Sequence, residues 1–221
     1  MKDLFIKEDI VLEKVTALLA TSGGRDGFFL RIASFLPSSD YRYQAIKKAY
    51  DVAEEAFYDI KRLNGDRYFE HLRAVALILI VYLRVKDYCL IVVALLHDIV
   101  EDIPGWTIER ARIEFGNEVA NLLEYMTKPA REFPNKEERN KAYFERFHNA
   151  PREFFLIKLA DRLHNLITLW VKNKKEMIRK IEETKRYYLP FAEHHLILLY
   201  ELEEALENLE KKSIQKKGAS D

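Results

Sequence analysis

Apolar positions recur along most of the chain at the three-to-four-residue spacing of an amphipathic helix. Leu4, Val11, Val15, Leu18 and Leu19 share one side of a helix predicted over residues 1 to about 20, which Ser22-Gly23-Gly24 stops. Residues 28–35 form a short apolar stretch, and Pro37-Ser38-Ser39-Asp40 makes a turn that offers an N-cap to the next element. A long helix is predicted over residues 41–63, with Ala45, Val52, Ala56 and Ile60 near one face and Asn64-Gly65-Asp66 ending it. Helices over 69–83 and 87–101 precede a break at Pro104-Gly105. Thr107 can cap the next helix, which Gly116 interrupts before a segment that reaches Met126. Residues 128–135, with Pro129 and Pro134, read as a loop. Further helices are predicted over 136–148, 152–171 and 175–188, then Pro190 bends the path and a last helix runs over 191–211. The expected fold class is all-α. Residues 1–44 form a helical extension, 45–211 one helical-bundle domain, and 212–221 a polar flexible tail. No repeat and no shift of composition marks a second domain.

Composition agrees with this picture. The 221 residues include only 7 Gly and 6 Pro and no run of Val/Thr alternation, which favours helix over sheet. Hydrophobic residues at 48% and charged residues at 33% are the balance of a soluble globular protein. Lys plus Arg and Asp plus Glu stand at 36 each, so no net field favours nucleic acid or an anionic membrane, and neither is an expected partner. Asp3, Glu8, Asp9 and Glu13 are wrong for a signal peptide, and the longest apolar runs, 74–83 and 89–96, are too short to span a bilayer. The single Cys89 rules out an internal disulfide and fits a reducing compartment. The expected location is cytoplasmic.

Chemistry concentrates in three predicted helices. The body of the 87–101 helix, Cys89-Leu90-Ile91-Val92-Val93-Ala94-Leu95-Leu96, is apolar on every side, which implies burial all round. His97, Asp98, Glu101 and Asp102 follow directly, on adjacent helical stripes. Three carboxylates and an imidazole at the end of a buried helix are costly unless a cation neutralises them, and a divalent metal would do so. The alternative is a helix end emerging into water with its acids solvated. In the 152–171 helix, Leu156, Leu159, Leu163, Leu166 and Trp170 form the core face, while Lys158, Asp161, Asn165 and Thr168 lie nearly opposite, flanked by Arg162 and His164. A solvated face would be richer in Lys and Glu pairs, so this sparse mixture suits a phosphorylated ligand held beside a metal. His71 sits among Leu72, Val75, Leu77, Ile78 and Leu79; alone it reads as a core histidine. The joint pattern changes that reading: a histidine a helix-turn-helix upstream of His-Asp, and a distant Asp in a further helix.

The segments Ala94-Leu95-Leu96-His97-Asp98-Ile99-Val100-Glu101-Asp102 and Ile157-Lys158-Leu159-Ala160-Asp161-Arg162-Leu163-His164-Asn165-Leu166 resemble the hydrolase domain of the RelA/SpoT family, an HD-domain phosphohydrolase. Thr107, Phe115-Gly116, Val119-Ala120 and Thr127-Lys128 also stand where that family has them, and the resemblance covers roughly residues 50–190. Enzymes of the family remove the 3'-pyrophosphate from the alarmone (p)ppGpp, and this chain is similar to small hydrolase-only members such as the metazoan SpoT homologue. The resemblance implies that His71, His97, Asp98 and Asp161 hold one Mn2+, an assignment that a mixed N/O donor set without thiolate tolerates; Zn2+ or Fe2+ suit it as well. It implies that Glu101 and Asp102 orient and deprotonate the attacking water, and that Asn165 hydrogen-bonds near the metal and the ribose phosphate. Thr168 matches a substrate contact, Arg62 a residue that stacks on the base or pairs with phosphate, and Lys158 and Arg162 flank the same stripe. Arg162 also resembles a residue that holds the acidic cluster in place.

Three positions depart from the family. Leu72 stands where Pro usually follows the first histidine, Phe57 where His is common, and Leu63 where a basic residue often follows the arginine. These changes leave the metal set whole and thin the contacts to base and 5'-phosphate. The expected activity is therefore a 3'-pyrophosphohydrolase of (p)ppGpp or its adenosine counterpart (p)ppApp. Alternatives are another HD phosphohydrolase, such as an NADPH phosphatase or a nucleotidase, and a non-catalytic nucleotide sensor. Residues 1–44 carry no matching motif and read as a packing or homo-oligomer-forming extension.

Overall fold

The computed structural model describes residues 10–129, 133–168 and 174–215. In chain order the α-helices are α1 (Ile10–Ala20), α2 (Gly24–Ala33), α3 (Tyr41–Ala56), α4 (Tyr68–Leu77), α5 (Tyr88–Leu96), α6 (Ile99–Asp102), α7 (Ile108–Phe115), α8 (Asn117–Met126), α9 (Lys136–Glu145), α10 (Arg152–Ile167), α11 (Lys174–Tyr187), α12 (Leu189–His195) and α13 (Leu199–Gln215). Among the described residues no β-strand forms, so the fold is all-α. No helix there is long and apolar enough to cross a membrane. Leu4, Trp170, Val171 and the end of the polar tail lie outside the described residues.

Local chemistry explains the helix starts. Asp40 accepts from the Arg42 amide at 2.9 Å, Asp87 from Cys89 and Leu90 at 2.8 and 3.2 Å, and Thr107 from Arg110 at 3.0 Å. Each satisfies a donor that the first helical turn leaves unpaired. Gly116, at φ 91°, separates α7 from α8 in a backbone region that side chains disfavour.

Four boundaries differ from the periodicity. The helix expected over 41–63 stops at Ala56, and the chain turns back through Asn64-Gly65-Asp66. There the Arg62 amide donates to Asp66 O at 2.8 Å, Gly65 takes φ 89°, and an isolated antiparallel bridge joins Lys61 to Arg67. Arg62 therefore projects from a pinned loop, not a helix end. The helix expected over 69–83 widens after Leu77 into a π-helical turn, Ile78–Tyr82. The helix expected over 87–101 is capped by Asp87 and breaks at His97-Asp98, between α5 and α6. The last helix, expected as one piece, divides where Leu196 and Leu198 adopt φ 53°. Left-handed leucines cost on the order of 1 kcal/mol each, and here the turn buries Ile197 and Leu198 while the Ile197 amide donates to Ala192 O at 3.0 Å.

The core explains how the site is held. Every residue from Cys89 to Leu96 is buried, and α5 packs against α3, α4, α8 and α10. At roughly 1.5–3 kcal/mol for each large aliphatic side chain removed from water, this helix is a fixed central post. Helix α10 contacts α4, α5, α8, α12 and α13 and is buried on nearly all sides, polar stripe included. Near the N-terminus, Val15, Phe28, Ile32 and Leu36 belong to the same continuous core, and the Leu12 amide donates to Glu204 in α13 at 3.0 Å. Phe28 and Phe29 pack against the Tyr50 ring of α3 at centroid distances of 5.1 Å each.

Candidate metal centre and substrate cavity

Three elements deliver the expected ligands to one point. His71 comes from α4, His97 and Asp98 from the break after α5, and Asp161 from the middle of α10. His71, His97 and Asp98 offer donor atoms that all lie within 4.8 Å of one another. Asp161 Oδ1 is 3.3 Å from His71 Nε2 and 3.8 Å from His97 Nε2, and Asp98 Oδ2 is 3.2 Å from His97 Nε2. The break at His97-Asp98 matters here, because it turns the two successive side chains toward a common centre while α5 stays in the core.

The fit to a divalent cation can be tested on one atom. His97 is buried, and its Nδ1–H donates to Ala94 O at 2.9 Å, which leaves Nε2 as the free ring nitrogen. That Nε2 is buried and has no hydrogen-bond partner, although two carboxylates stand beside it. An orphaned buried polar atom is costly. A cation among these two imidazoles and two carboxylates would satisfy it. Burial alone would lower the pKa of His97, but the charges of Asp98 and Asp161 outweigh it and lift it to about 10. The site thus favours positive charge at this nitrogen, and a divalent ion would displace the proton.

The candidate ligands are themselves gripped. Asp161 accepts from Lys158 Nζ at 3.0 Å on one oxygen and from Asn165 Nδ2 at 2.5 Å on the other. Burial would raise its pKa, yet Lys158 and the two imidazoles hold it well below the ordinary carboxylate range. Asp98 Oδ2 accepts from the Tyr68 hydroxyl at 2.7 Å, and the Tyr68 ring stacks on Phe57 at 5.0 Å. His71 Nδ1 lies 2.8 Å from His164 Nδ1. Burial pushes both His71 and His164 below the usual histidine value, so both rings are neutral near pH 7.

Around this centre the protein opens a cavity of about 700 Å³. Glu101, Asp102, Lys128, Arg139 and Arg179 are among the residues that line it, beside Asp98 and Asp161. Glu101 accepts from the Lys128 amide at 2.6 Å and from its ammonium at 3.1 Å. Asp102 is pushed up to about 6 by partial burial and by the charges of Asp98 and Glu101. A second cavity of about 340 Å³ adjoins it, lined by Arg62, Leu63 and Thr168; Tyr68, Arg162, Asn165 and Lys180 face both. Arg62 donates to Asn165 Oδ1 at 2.6 Å and to Thr168 Oγ1 at 3.0 Å, which ties three of the expected substrate-contacting residues into one cluster.

Lys158 and Arg162 line the larger cavity and are also paired within the protein. Lys158 is buried with its ammonium on Asp161, and Arg162 directs Nη2 to Glu183 at 2.6 Å while its guanidinium lies 3.7 Å over the Tyr188 ring. Arg162 makes no hydrogen bond to the acids of the centre, because α11 brings it a carboxylate of its own. Among the departures, Leu72 is fully buried in the core and Leu63 is exposed at the mouth of the smaller cavity.

Sequence reasoning passed over Tyr68, Lys180 and Glu183, and gave His164 no role beyond flanking the polar stripe. Tyr68 stands three residues before His71 and His164 three after Asp161, spacings that place each on the ligand's own helical face. That signal was available. Lys180 and Glu183 carried none, since only tertiary packing brings α11 to this place.

Known proteins resemble this chain along most of its length. A family profile described as HD domain matches residues 49–196. The bifunctional (p)ppGpp synthase/hydrolase SpoT of Escherichia coli is 34% identical over 183 residues, which are 80% of this chain and 25% of that protein. The GTP pyrophosphokinase rsh of Brucella melitensis is 36% identical over 169 residues, 73% of this chain and 22% of the relative. The chain thus spans about a quarter of the length of these relatives. A solved structure described as a metazoan orthologue of SpoT that hydrolyses ppGpp superposes with a TM-score of 0.62 at 25% identity, covering 78% of this chain and 97% of that one. With the profile running from α3 to the end of α12 and the His/Asp centre assembled within it, the chain belongs to the HD-domain family.

Proposed function

We propose that this protein is a metal-dependent hydrolase that removes the 3'-pyrophosphate from (p)ppGpp or (p)ppApp. The observation that carries the reading is the orphaned Nε2 of His97, set among His71, Asp98 and Asp161 at the wall of a cavity rich in cations. Relatives described by (p)ppGpp hydrolysis support the substrate class. His71, His97, Asp98 and Asp161 hold the divalent ion in this reading, Mn2+ being well matched to a mixed N/O set and Zn2+ or Fe2+ being alternatives. The ion would lower the pKa of a coordinated water toward neutrality.

The remaining steps belong to the chain's own residues. Asp102, with its pKa near 6, takes a proton from the attacking water, and Glu101 holds Lys128 at the rim, where it faces phosphate. The water oxygen bonds to the 3'-linked phosphorus, the bond from phosphorus to the 3'-oxygen breaks, and the proton held by Asp102 passes to that oxygen as pyrophosphate is released whole. Lys128, Arg139 and Arg179 stabilise the charge on the pyrophosphoryl group under attack, while Arg62, Asn165 and Thr168 orient the nucleoside side. Leu63 in place of a cation makes the smaller cavity less demanding of a 5'-phosphate.

The test is incubation of the purified protein with Mn2+ and either ppGpp or ppApp, with product analysis. Pyrophosphate release is expected. Orthophosphate release from NADPH, with no turnover of either alarmone, would replace this reading with that of a phosphatase, and turnover of nothing in a nucleotide panel would sink the enzyme reading.

A further inference from the structure

His164 stands three residues after Asp161 on α10, is buried, and turns its Nδ1 toward His71 and Arg62. Its ring lies 4.9 Å from that of His71, and the two Nδ1 atoms are 2.8 Å apart, so one must donate and the other accept. Arg62 settles which. Its Nη1 lies 3.3 Å from His164 Nδ1, and a guanidinium can only donate. His164 Nδ1 is therefore the bare, accepting nitrogen, and the proton between the rings sits on His71 Nδ1. A neutral His71 with its proton on Nδ1 presents a lone pair at Nε2, the atom that faces Asp161 at 3.3 Å and Asp98 at 3.9 Å.

We infer that His164 is a positioning residue: by accepting from His71 Nδ1–H it fixes the tautomer and ring angle in which His71 Nε2 can bind a divalent cation. The inference rests on the metal centre proposed above. A metal-binding imidazole needs its second nitrogen anchored, and carboxylates, carbonyls or waters do this elsewhere. Among the described residues, the partner at His71 Nδ1 is a second imidazole. The acceptor's own polarity is set by Arg62, which also holds Asn165 and Thr168. The order of hydrogen bonds thus runs from the substrate-side cluster to a ligand of the metal.

The experiment compares the full chain with His164→Phe, which keeps a flat ring without an acceptor, and His164→Asn, whose Oδ1 stands as many bonds from Cα as Nδ1 does. Mn2+ binding to each metal-free protein is measured by titration, and the histidine tautomers by long-range proton–nitrogen correlation at pH 8. His164→Phe is expected to weaken Mn2+ binding by about 10–100-fold, with His164→Asn recovering most of the loss. The unsubstituted protein is expected to show His71 protonated at Nδ1 and bare at Nε2. Parent-like Mn2+ affinity in a folded His164→Phe protein overturns the inference, as does an equal loss in both variants, which would assign the effect to packing. A parent protein that takes up no Mn2+ overturns the metal centre itself, whereas a proton found on His71 Nε2 overturns only the role of His164. Should His164→Phe fail to fold, the tautomer of the unsubstituted protein decides.

Discussion

Tyr68 donates its hydroxyl to Asp98 Oδ2 across 2.7 Å, and of the four candidate ligands Asp98 most needs such a hold, because it lies at the break between two helices. Burial and the Asp98 charge push the Tyr68 pKa far up, so the hydroxyl keeps its proton and donates at every accessible pH. Tyr68→Phe preserves the stack on Phe57 and removes only this donor. The metal-free protein should lose about 1–2 kcal/mol of stability, and Mn2+ affinity should fall roughly 10-fold or more. Chemical unfolding and Mn2+ titration read the two effects separately, and unchanged affinity would show that Asp98 needs no such anchor.

Asp98 and Glu101 stand three residues apart and are proposed for different roles. Asp98→Ala should abolish both metal uptake and activity, whereas Glu101→Ala should keep the metal and lose turnover by about 100-fold. The structure adds a control, because Glu101 also anchors the Lys128 amide at 2.6 Å. Glu101→Gln keeps an acceptor for that amide while removing the charge. If it restores the activity of the unsubstituted protein, Glu101 serves as a loop anchor, and Asp102 alone remains as the base. Metal content and turnover of the three variants distinguish these outcomes.

The fold class was legible because it rests on helical spacing and the all-apolar body of α5, whereas the four candidate ligands came from the resemblance to the RelA/SpoT family, since His71 alone reads as a core histidine. Less legible were the places where tertiary contacts override periodicity. Residues 57–63 carry enough apolar residues to continue α3, yet Phe57 is needed under Tyr68, and the chain leaves the helix to put it there. The polar stripe of α10 read correctly as unlike a solvated face, but its partners, His71 on α4 and Arg62 in the loop after α3, are not encoded in the stripe itself. Residues such as Glu183 reach the site from a helix with no motif. Only packing reveals them.

The pKa of Asp102 gives a pH dependence with a definite sign. Its folded-state value, about 6, lies above the ordinary 3.8, so the folded protein holds this proton more tightly than the unfolded chain does. The stabilising contribution is fully present below about pH 3.8 and is lost as pH rises through 6. Ionised Asp102 therefore destabilises the metal-free protein at neutral pH. Asp102→Asn should raise the melting temperature of that protein at pH 8 more than at pH 4, while turnover falls by roughly 100-fold or more. Thermal melts at the two pH values check the sign, and an equal shift at both would mean that the carboxylate is not repelled by Asp98 and Glu101.

Glu183 holds two cations at the junction of the cavities, accepting from Arg162 Nη2 at 2.6 Å and from Lys180 Nζ at 3.2 Å. Burial opposes its charge, but Arg162 and Lys180 together bring its pKa down to about 2, so it is ionised throughout the physiological range. Glu183→Gln leaves Arg162, buried over Tyr188, without a counter-charge, and removing one member of a buried pair costs about 3–5 kcal/mol. Urea unfolding should show a loss of that order. Two residual cations without their carboxylate should also draw anions more strongly, so inorganic pyrophosphate should protect the folded variant against unfolding more than it protects the unsubstituted protein. A variant that unfolds at the parent's urea midpoint would place Arg162 and Lys180 in solvent contact, contrary to the packing of α11 against the site.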